Sequence, residues 1–286
     1  MKYSYHQSVK SDQSDELINT FFLRPIAGII VWILYYTPIT PNQVTIASIL
    51  VGFIASFFYL QATPKTILIA GVLITVKDIL DSADGQLARA KQKYSRVGRF
   101  LDSIGDFLVN VVVFGSIGYV LYSTTNNIWI IILAFLGLAG ITFRVSYHVF
   151  YHVNYLHLSN KYDNNRITEE IRKEDIVSGG LELSLQRIFQ LIYGWQDRLI
   201  LKLDIWSRNS RSDEVSLHKW YSDRVGLFIS GFLGIGTELF LLTICSVCNQ
   251  LELYLFLNLF LMNGILLISI FYRRAILQAK LHKNAT

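Results

Sequence analysis

Apolar runs of bilayer-spanning length alternate with short polar turns through most of this 286-residue chain. A spanning helix needs about 20 mostly apolar residues. Six stretches approach that length: roughly 41–61, 63–83, one starting near Gly98 with the apolar part FLVNVVVFGSIGYVLY, 128–153, 225–247 and 251–272. Thr40 and Pro41 mark the first start as N-cap and first helical residue. The second stretch does not stop at its apolar end, because the helical pattern continues through DGQLARAKQ. An earlier stretch, 21–38, is short and broken by Arg24-Pro25, which predicts an amphipathic helix lying at the interface, with a short span as the alternative. The polar stretch 154–220 places Leu185, Ile188, Phe189 and Ile192 at helical spacing, with Tyr193, Trp195 and Trp206 suited to headgroup level. It predicts one or two amphipathic helices resting on the bilayer surface, with DNNRITEEIRKED solvated upstream.

The expectation is an all-α integral membrane protein with six transmembrane helices and an N-terminal interfacial amphipathic helix. Its parts are an N-terminal region (1–40), four spans (41–153), an amphipathic insert (154–220) and two final spans with a tail (221–286). Composition agrees: 52% of residues are hydrophobic and 16% charged, where soluble chains carry about 25% charged. The net charge of +5 is modest and forms no basic stripe, so nucleic acid is not an expected partner. The N-terminal 20 residues lack the apolar core of a cleaved signal peptide.

Charge placement predicts orientation. Arg89, Lys91, Lys93, Arg96 and Arg99 crowd the turn between spans two and three, and Arg273, Arg274, Lys280 and Lys283 follow span six. The turns QATPK, STTNN and CNQLE hold one lysine between them. Basic residues accumulate on the cytoplasmic side, so both termini and the turn after span two are expected there.

That turn is flanked by carboxylates. Asp81 and Asp84 are three apart and Asp102 and Asp106 four apart, so each pair shares a helix face. Facing one another across antiparallel helices, they would repel unless protons or divalent cations intervened. An all-oxygen set suits Mg²⁺ or Mn²⁺. Gly85 and Gly98 let a ligand approach the backbone, Ala88 keeps the face open, and Arg89 supplies a guanidinium suited to phosphate. Together these describe a diphosphate site at the membrane surface.

The run Asp81-x2-Asp84-Gly85-x2-Ala88-Arg89-x8-Gly98-x3-Asp102-x3-Asp106 fills every fixed position of a known signature, and resembles the CDP-alcohol phosphotransferase family. The six-span layout is similar too. The resemblance implies transfer of a phosphoalcohol group, phosphatidyl in the leading reading, from a CDP-linked donor such as CDP-diacylglycerol to an alcohol, with release of CMP. One substrate is a lipid drawn from the bilayer. It also implies two divalent metals per active site, Mg²⁺ or Mn²⁺, on Asp81, Asp84, Asp102 and Asp106, with Asp106 the catalytic base. Gly85, Arg89 and Gly98, with Asp81, would hold the nucleotide, joined by Asn42 and Thr45 of a Pro-Asn-x-x-Thr element at the first span. Members are homodimers, which is the expectation here.

Other residues keep alternatives open. Arg144, inside span four, could hold an acceptor phosphate, snorkel, or pair with a carboxylate. Glu238, deep in span five, reads as a helix–helix hydrogen-bonding group. His148 and His152, four apart, read as interfacial packing rather than a metal pair, and Cys245 and Cys248 as small buried residues. Asp78 could support the acidic site from behind. Two rival functions remain: headgroup transfer from a CDP-alcohol to a lipid alcohol, and a cation-coupled transporter. The transporter predicts midplane charges on broken helices, whereas the ionisable residues here gather at one face.

Overall fold

A computed structural model of the chain describes residues 3–8, 16, 18–158, 170–209 and 214–279. Among them there are helices and no strands. A single turn, α1 (Tyr5–Ser8), precedes α2 (Asn19–Tyr35). Four long helices follow: α3 (Pro41–Leu60), α4 (Pro64–Ala90), α5 (Arg96–Thr125) and α6 (Trp129–Leu158). The insert supplies α7 (Lys173–Ser178), α8 (Gly180–Ser207) and α9 (Glu214–Tyr221), and the chain ends in α10 (Arg224–Gly231), α11 (Ile235–Val247) and α12 (Leu251–Leu277).

Five helical segments are long and apolar enough to cross a membrane: α3, α5, α6, α10–α11 and α12. The expected second span, α4, is not among them, because Lys77, Asp78 and Asp81 interrupt its apolar half. Exposed faces match lipid as solvent. On α3, Ile46, Leu50, Ile54 and Phe57 line one exposed stripe, a surface too apolar to leave in water. Behind it, a core of Ala55, Tyr59, Ile74, Val109, Ile117 and Leu242 joins α3, α4, α5 and α11.

Local signals set the helix starts. Thr40 caps α3 through Gln43 in a reciprocal capping box with Pro41 at the first turn, as the sequence predicts, and Thr63 with Thr66 does the same for α4. Ser95 caps α5 by accepting from Gly98 N. The helices α4 and α5 pack mainly against α3 rather than against each other. The space between the C-terminal end of α4 and the N-terminal end of α5 is therefore bridged by side chains.

The span expected over 225–247 is interrupted at Phe232–Gly234, between α10 and α11. The restart is capped from far away in sequence: Glu16 Oε2 accepts from Gly236 N (2.8 Å) and Thr237 N (3.3 Å). A Cβ at Gly234 would collide with the Glu16 carboxyl, so glycine is required for this approach. Burial and the nearby Asp78 charge push Glu16 from its ordinary 4.5 up to about 8, against the pull of the Gly236, Thr237 and Ile235 N–H groups. An acid whose folded value is raised binds more protons folded than unfolded. Its contribution is therefore greatest below the unfolded value and is lost as pH rises towards 8. Glu16→Gln is expected to flatten that decline. Melting curves of the two proteins in detergent should diverge as pH rises from about 5 to about 8, with the variant the more stable at the upper end.

The insert is not a free surface helix. At one end Arg96 pairs with Asp175 (2.9 Å) and Glu182 (2.5 Å), tying α7 and α8 to the start of α5. At the other, fully buried Asp204 accepts from Tyr151 Oη (3.0 Å), Trp220 Nε1 (2.8 Å), Tyr221 Oη (2.8 Å) and Arg208 Nε (3.0 Å), which joins α8 to α6 and α9. The inward stripe of α8 carries the polar residues Gln186, Gln196 and Asp204, while Ile188, Leu191 and Trp195 are exposed. Ile200 joins that inward stripe, and the apolar residues left exposed are those a helix resting on a bilayer surface would turn towards lipid. Of DNNRITEEIRKED, residues 163–169 lie outside the described residues, and Asp175 is buried in its pair with Arg96 rather than solvated; Lys280 and Lys283 also lie outside the described residues.

Candidate active site

Three of the four acidic residues of the motif come together. Asp81 from α4 and Asp102 and Asp106 from α5 offer carboxylate oxygens that all lie within 4.8 Å of one another, the one such group of potential metal ligands among the described residues. Oδ1 of Asp81 and Oδ1 of Asp102 are buried and have no hydrogen-bond partner. Buried carboxylate oxygens without donors are costly, and a divalent cation is one ligand that would satisfy them. A hard, all-oxygen set fits Mg²⁺ or Mn²⁺. The residues present therefore fit a bound metal.

Asp84 is held differently. Its Oδ2 accepts from Thr45 Oγ1 (2.5 Å), and Thr45 is buried on α3. Asp84 stays within electrostatic reach of Asp81 and Asp106, but a neighbouring helix fixes its orientation. Asn42, three residues before Thr45, sits against Gly98: a Cβ on Gly98 would collide with Asn42 Oδ1. Thus the Pro-Asn-x-x-Thr element, Gly98 and Asp84 form one contiguous wall built from α3, α4 and α5. Beside Gly85, an added Cβ would meet only the Arg89 guanidinium, at 3.5–4.0 Å, so that surface stays open. Arg89 Nε donates to the Ser8 carbonyl (2.6 Å), which brings α1 onto the motif.

Two contributors are not evident from the motif. Lys77, one turn before Asp81 and only 2% exposed, pairs with Asp106 and lies 3.7 Å from Asp81 Oδ1. Its i,i+4 spacing to Asp81 was the available signal. The second is Tyr193 of α8, whose hydroxyl donates to Ser103 O (2.9 Å) and whose ring meets Phe107 edge-on. Burial, then the Asp106 and Asp102 charges, raise the Tyr193 phenol well above its ordinary range. The insert therefore reaches the acidic cluster, and no local sequence pattern could reveal that contact.

Arg144 does not join the cluster. It is fully buried, donates to Glu238 through Nε (2.7 Å) and Nη2, and donates through Nη1 to Asn263 Oδ1 (2.8 Å). Asn258 completes the set by donating to Glu238 Oε2 (2.9 Å). Of the readings left open for Arg144, the geometry matches pairing with a carboxylate, and Glu238 is the helix-to-helix group expected. Asp78 is buried beside Lys77 and within its electrostatic reach. His148 and His152 are buried on α6 with ring centroids 5.7 Å apart. Cys245 is buried as expected, whereas Cys248 is exposed.

Comparison with known proteins agrees with this geometry. Residues 38–162 match the family described as CDP-alcohol phosphatidyltransferase. The chain is 39% identical over 103 residues to a bifunctional IPC transferase and DIPP synthase of Thermococcus kodakarensis, covering 35% of this chain and 22% of that protein. It is 46% identical over 79 residues to an archaetidylinositol phosphate synthase of Pyrococcus horikoshii, covering 27% and 40%. A bifunctional IPC transferase and DIPP synthase of Archaeoglobus fulgidus is 40% identical over 93 residues, covering 32% and 17%. The chain thus spans less than half the length of each of these relatives.

Proposed function

We propose that this protein, whose residues 38–162 match the CDP-alcohol phosphatidyltransferase family, transfers a phosphoalcohol group, phosphatidyl in type, from a CDP-linked donor such as CDP-diacylglycerol to an alcohol, releasing CMP. The observation that carries the proposal is the convergence of Asp81, Asp102 and Asp106 within 4.8 Å from two helices. In this reading Asp81, Asp84, Asp102 and Asp106 hold two divalent ions, Mg²⁺ or Mn²⁺. Ions held by these carboxylates would supply charge neutralisation at the diphosphate and polarisation of its phosphorus.

The chain's own residues do the rest. Asn42 and Thr45 from α3, with Asp81, Gly85, Arg89 and Gly98, line the nucleotide side, and the Thr45 hydroxyl keeps Asp84 turned towards it. Asp106 takes the proton of the acceptor hydroxyl. That oxygen then bonds to the phosphorus of the transferred group as the bond to the CMP phosphate breaks. A carboxylate is a weak base, so Asp106 works through placement more than through basicity. Tyr193 and Phe107 cover the α5 side and limit water there.

The membrane setting completes the reading. In this reading α4 counts as a sixth span and α2 lies at the interface, so both termini and the acidic cluster face the cytoplasm, where soluble nucleotide meets lipid arriving laterally; the basic residues around the turn after α4 support it. Residues 41–153 then form the catalytic bundle, 154–220 its cover, and two chains associate as a homodimer.

Purified protein incubated with Mn²⁺, radiolabelled CMP and its native lipid extract tests the reaction in reverse. Label is expected to move into a CDP-linked lipid in the organic phase. Recovery in an aqueous CDP-alcohol would reverse the substrate order, and absence of any exchange together with absence of CDP binding would refute the transferase.

A further inference from the structure

Lys77 presents a question the motif does not answer. Its ammonium is buried, and burying a charge is unfavourable unless partners compensate. The partners are Asp106 on α5 and Asp81 on its own helix. The other basic residues near the site are engaged elsewhere. Arg89 bonds the Ser8 carbonyl, Lys91 bonds the Thr37 and Ile39 carbonyls, Arg96 pairs with Asp175 and Glu182, and Arg99 lies over the Phe100 ring. Lys77, on α4, reaches across to Asp106 on α5.

We propose that Lys77 is the site's internal counter-cation: it holds Asp106 towards Asp81 before metal arrives and must yield Asp106 to the incoming divalent ion. This inference rests on the metal-dependent transferase reading above. The charges make the competition unavoidable. One ammonium contacts Asp106 and Asp81 but not the remaining carboxyl groups of the cluster, and Asp81 Oδ1 and Asp102 Oδ1 have no hydrogen-bond partner. The cluster therefore still attracts a cation while Lys77 occupies one of its ligands. A divalent ion that takes Asp106 has to displace the ammonium, and that displacement weakens its apparent affinity. In exchange, the cluster stays assembled without metal. Once displaced, Lys77 keeps its Asp81 contact on the same helix and leaves its charge free to face the diphosphate.

The test is Mn²⁺ binding followed by electron paramagnetic resonance on detergent-purified protein, with no substrate and no turnover. Lys77→Met removes the charge, Lys77→Gln removes it while retaining a hydrogen-bond donor, and Lys77→Arg keeps it. Met and Gln variants are expected to bind Mn²⁺ about tenfold tighter or more, while Arg stays near the wild type. Their metal-free forms should melt earlier than the wild type, and Mn²⁺ should raise their melting temperature by more. Unchanged or weaker Mn²⁺ binding in both the Met and Gln variants would overturn the inference while leaving the metal reading standing. A wild type that binds no Mn²⁺ would overturn both. If the Met variant does not fold, the Gln and Arg pair decides by the same comparison.

Discussion

Asp106→Asn is expected to lower transfer by about 10³-fold or more while leaving the helical fold intact. A positioned general base accounts for roughly 10²–10⁴ of rate, and Asp106 is proposed also to ligate metal. The substitution keeps the shape and removes both the charge and the basic oxygen. Lys77 retains Asp81 as a partner, at 3.7 Å, so the variant should not lose the bundle. The check is CMP release measured beside thermal melting in detergent. A variant that melts like the wild type and transfers at more than a tenth of its rate would remove Asp106 from the mechanism. Asp84→Asn provides the comparison. Both residues are proposed metal ligands, so both variants should lose activity, and CDP affinity measured with and without Mn²⁺ separates loss of the metal from loss of the base.

The second large effect concerns stability. Glu238→Ala leaves Arg144 buried at 0% exposure without its carboxylate, and breaking a buried pair from one side costs about 3–5 kcal/mol. Replacing both partners, Arg144→Leu with Glu238→Leu, should recover most of that loss, because no charge is then left unpaired. Denaturant titration in mixed micelles measures both. Activity separates the two readings of Arg144. A double variant that folds and keeps its acceptor KM makes the pair structural. A large KM increase for the acceptor alone would mean Arg144 also touches substrate.

The contrast between these two sites explains what was readable in the sequence. Asp81, Asp84, Asp102 and Asp106 lie on two consecutive helices joined by a short turn, so local spacing carries most of the geometry. Thr40 and Pro41 mark a helix start by chemistry confined to a few residues. The Arg144–Glu238 network is different, because its members come from α6, α11 and α12. Asn258 and Asn263 are five apart, which on a regular α-helix would point them in different directions. A π-helical segment over Leu257–Met262 widens the turn and brings both to the pair. Nothing in hydrophobic periodicity announces such a turn. Glu16 capping α11 across 220 positions is equally invisible to it. The inward polar stripe of α8 was hidden for another reason: in a membrane protein the exposed face can be the apolar one, so period alone does not say which side is buried.

The central claim is that carboxylates from α4 and α5 share a divalent ion that grips a nucleotide's diphosphate. Mn²⁺-bound protein titrated with CDP and observed by electron–nuclear double resonance reads that contact directly. The account predicts a ³¹P coupling to Mn²⁺ in the wild type that disappears in Asp81→Asn and Asp102→Asn. A wild-type spectrum with bound Mn²⁺ and bound CDP but no ³¹P coupling would contradict it.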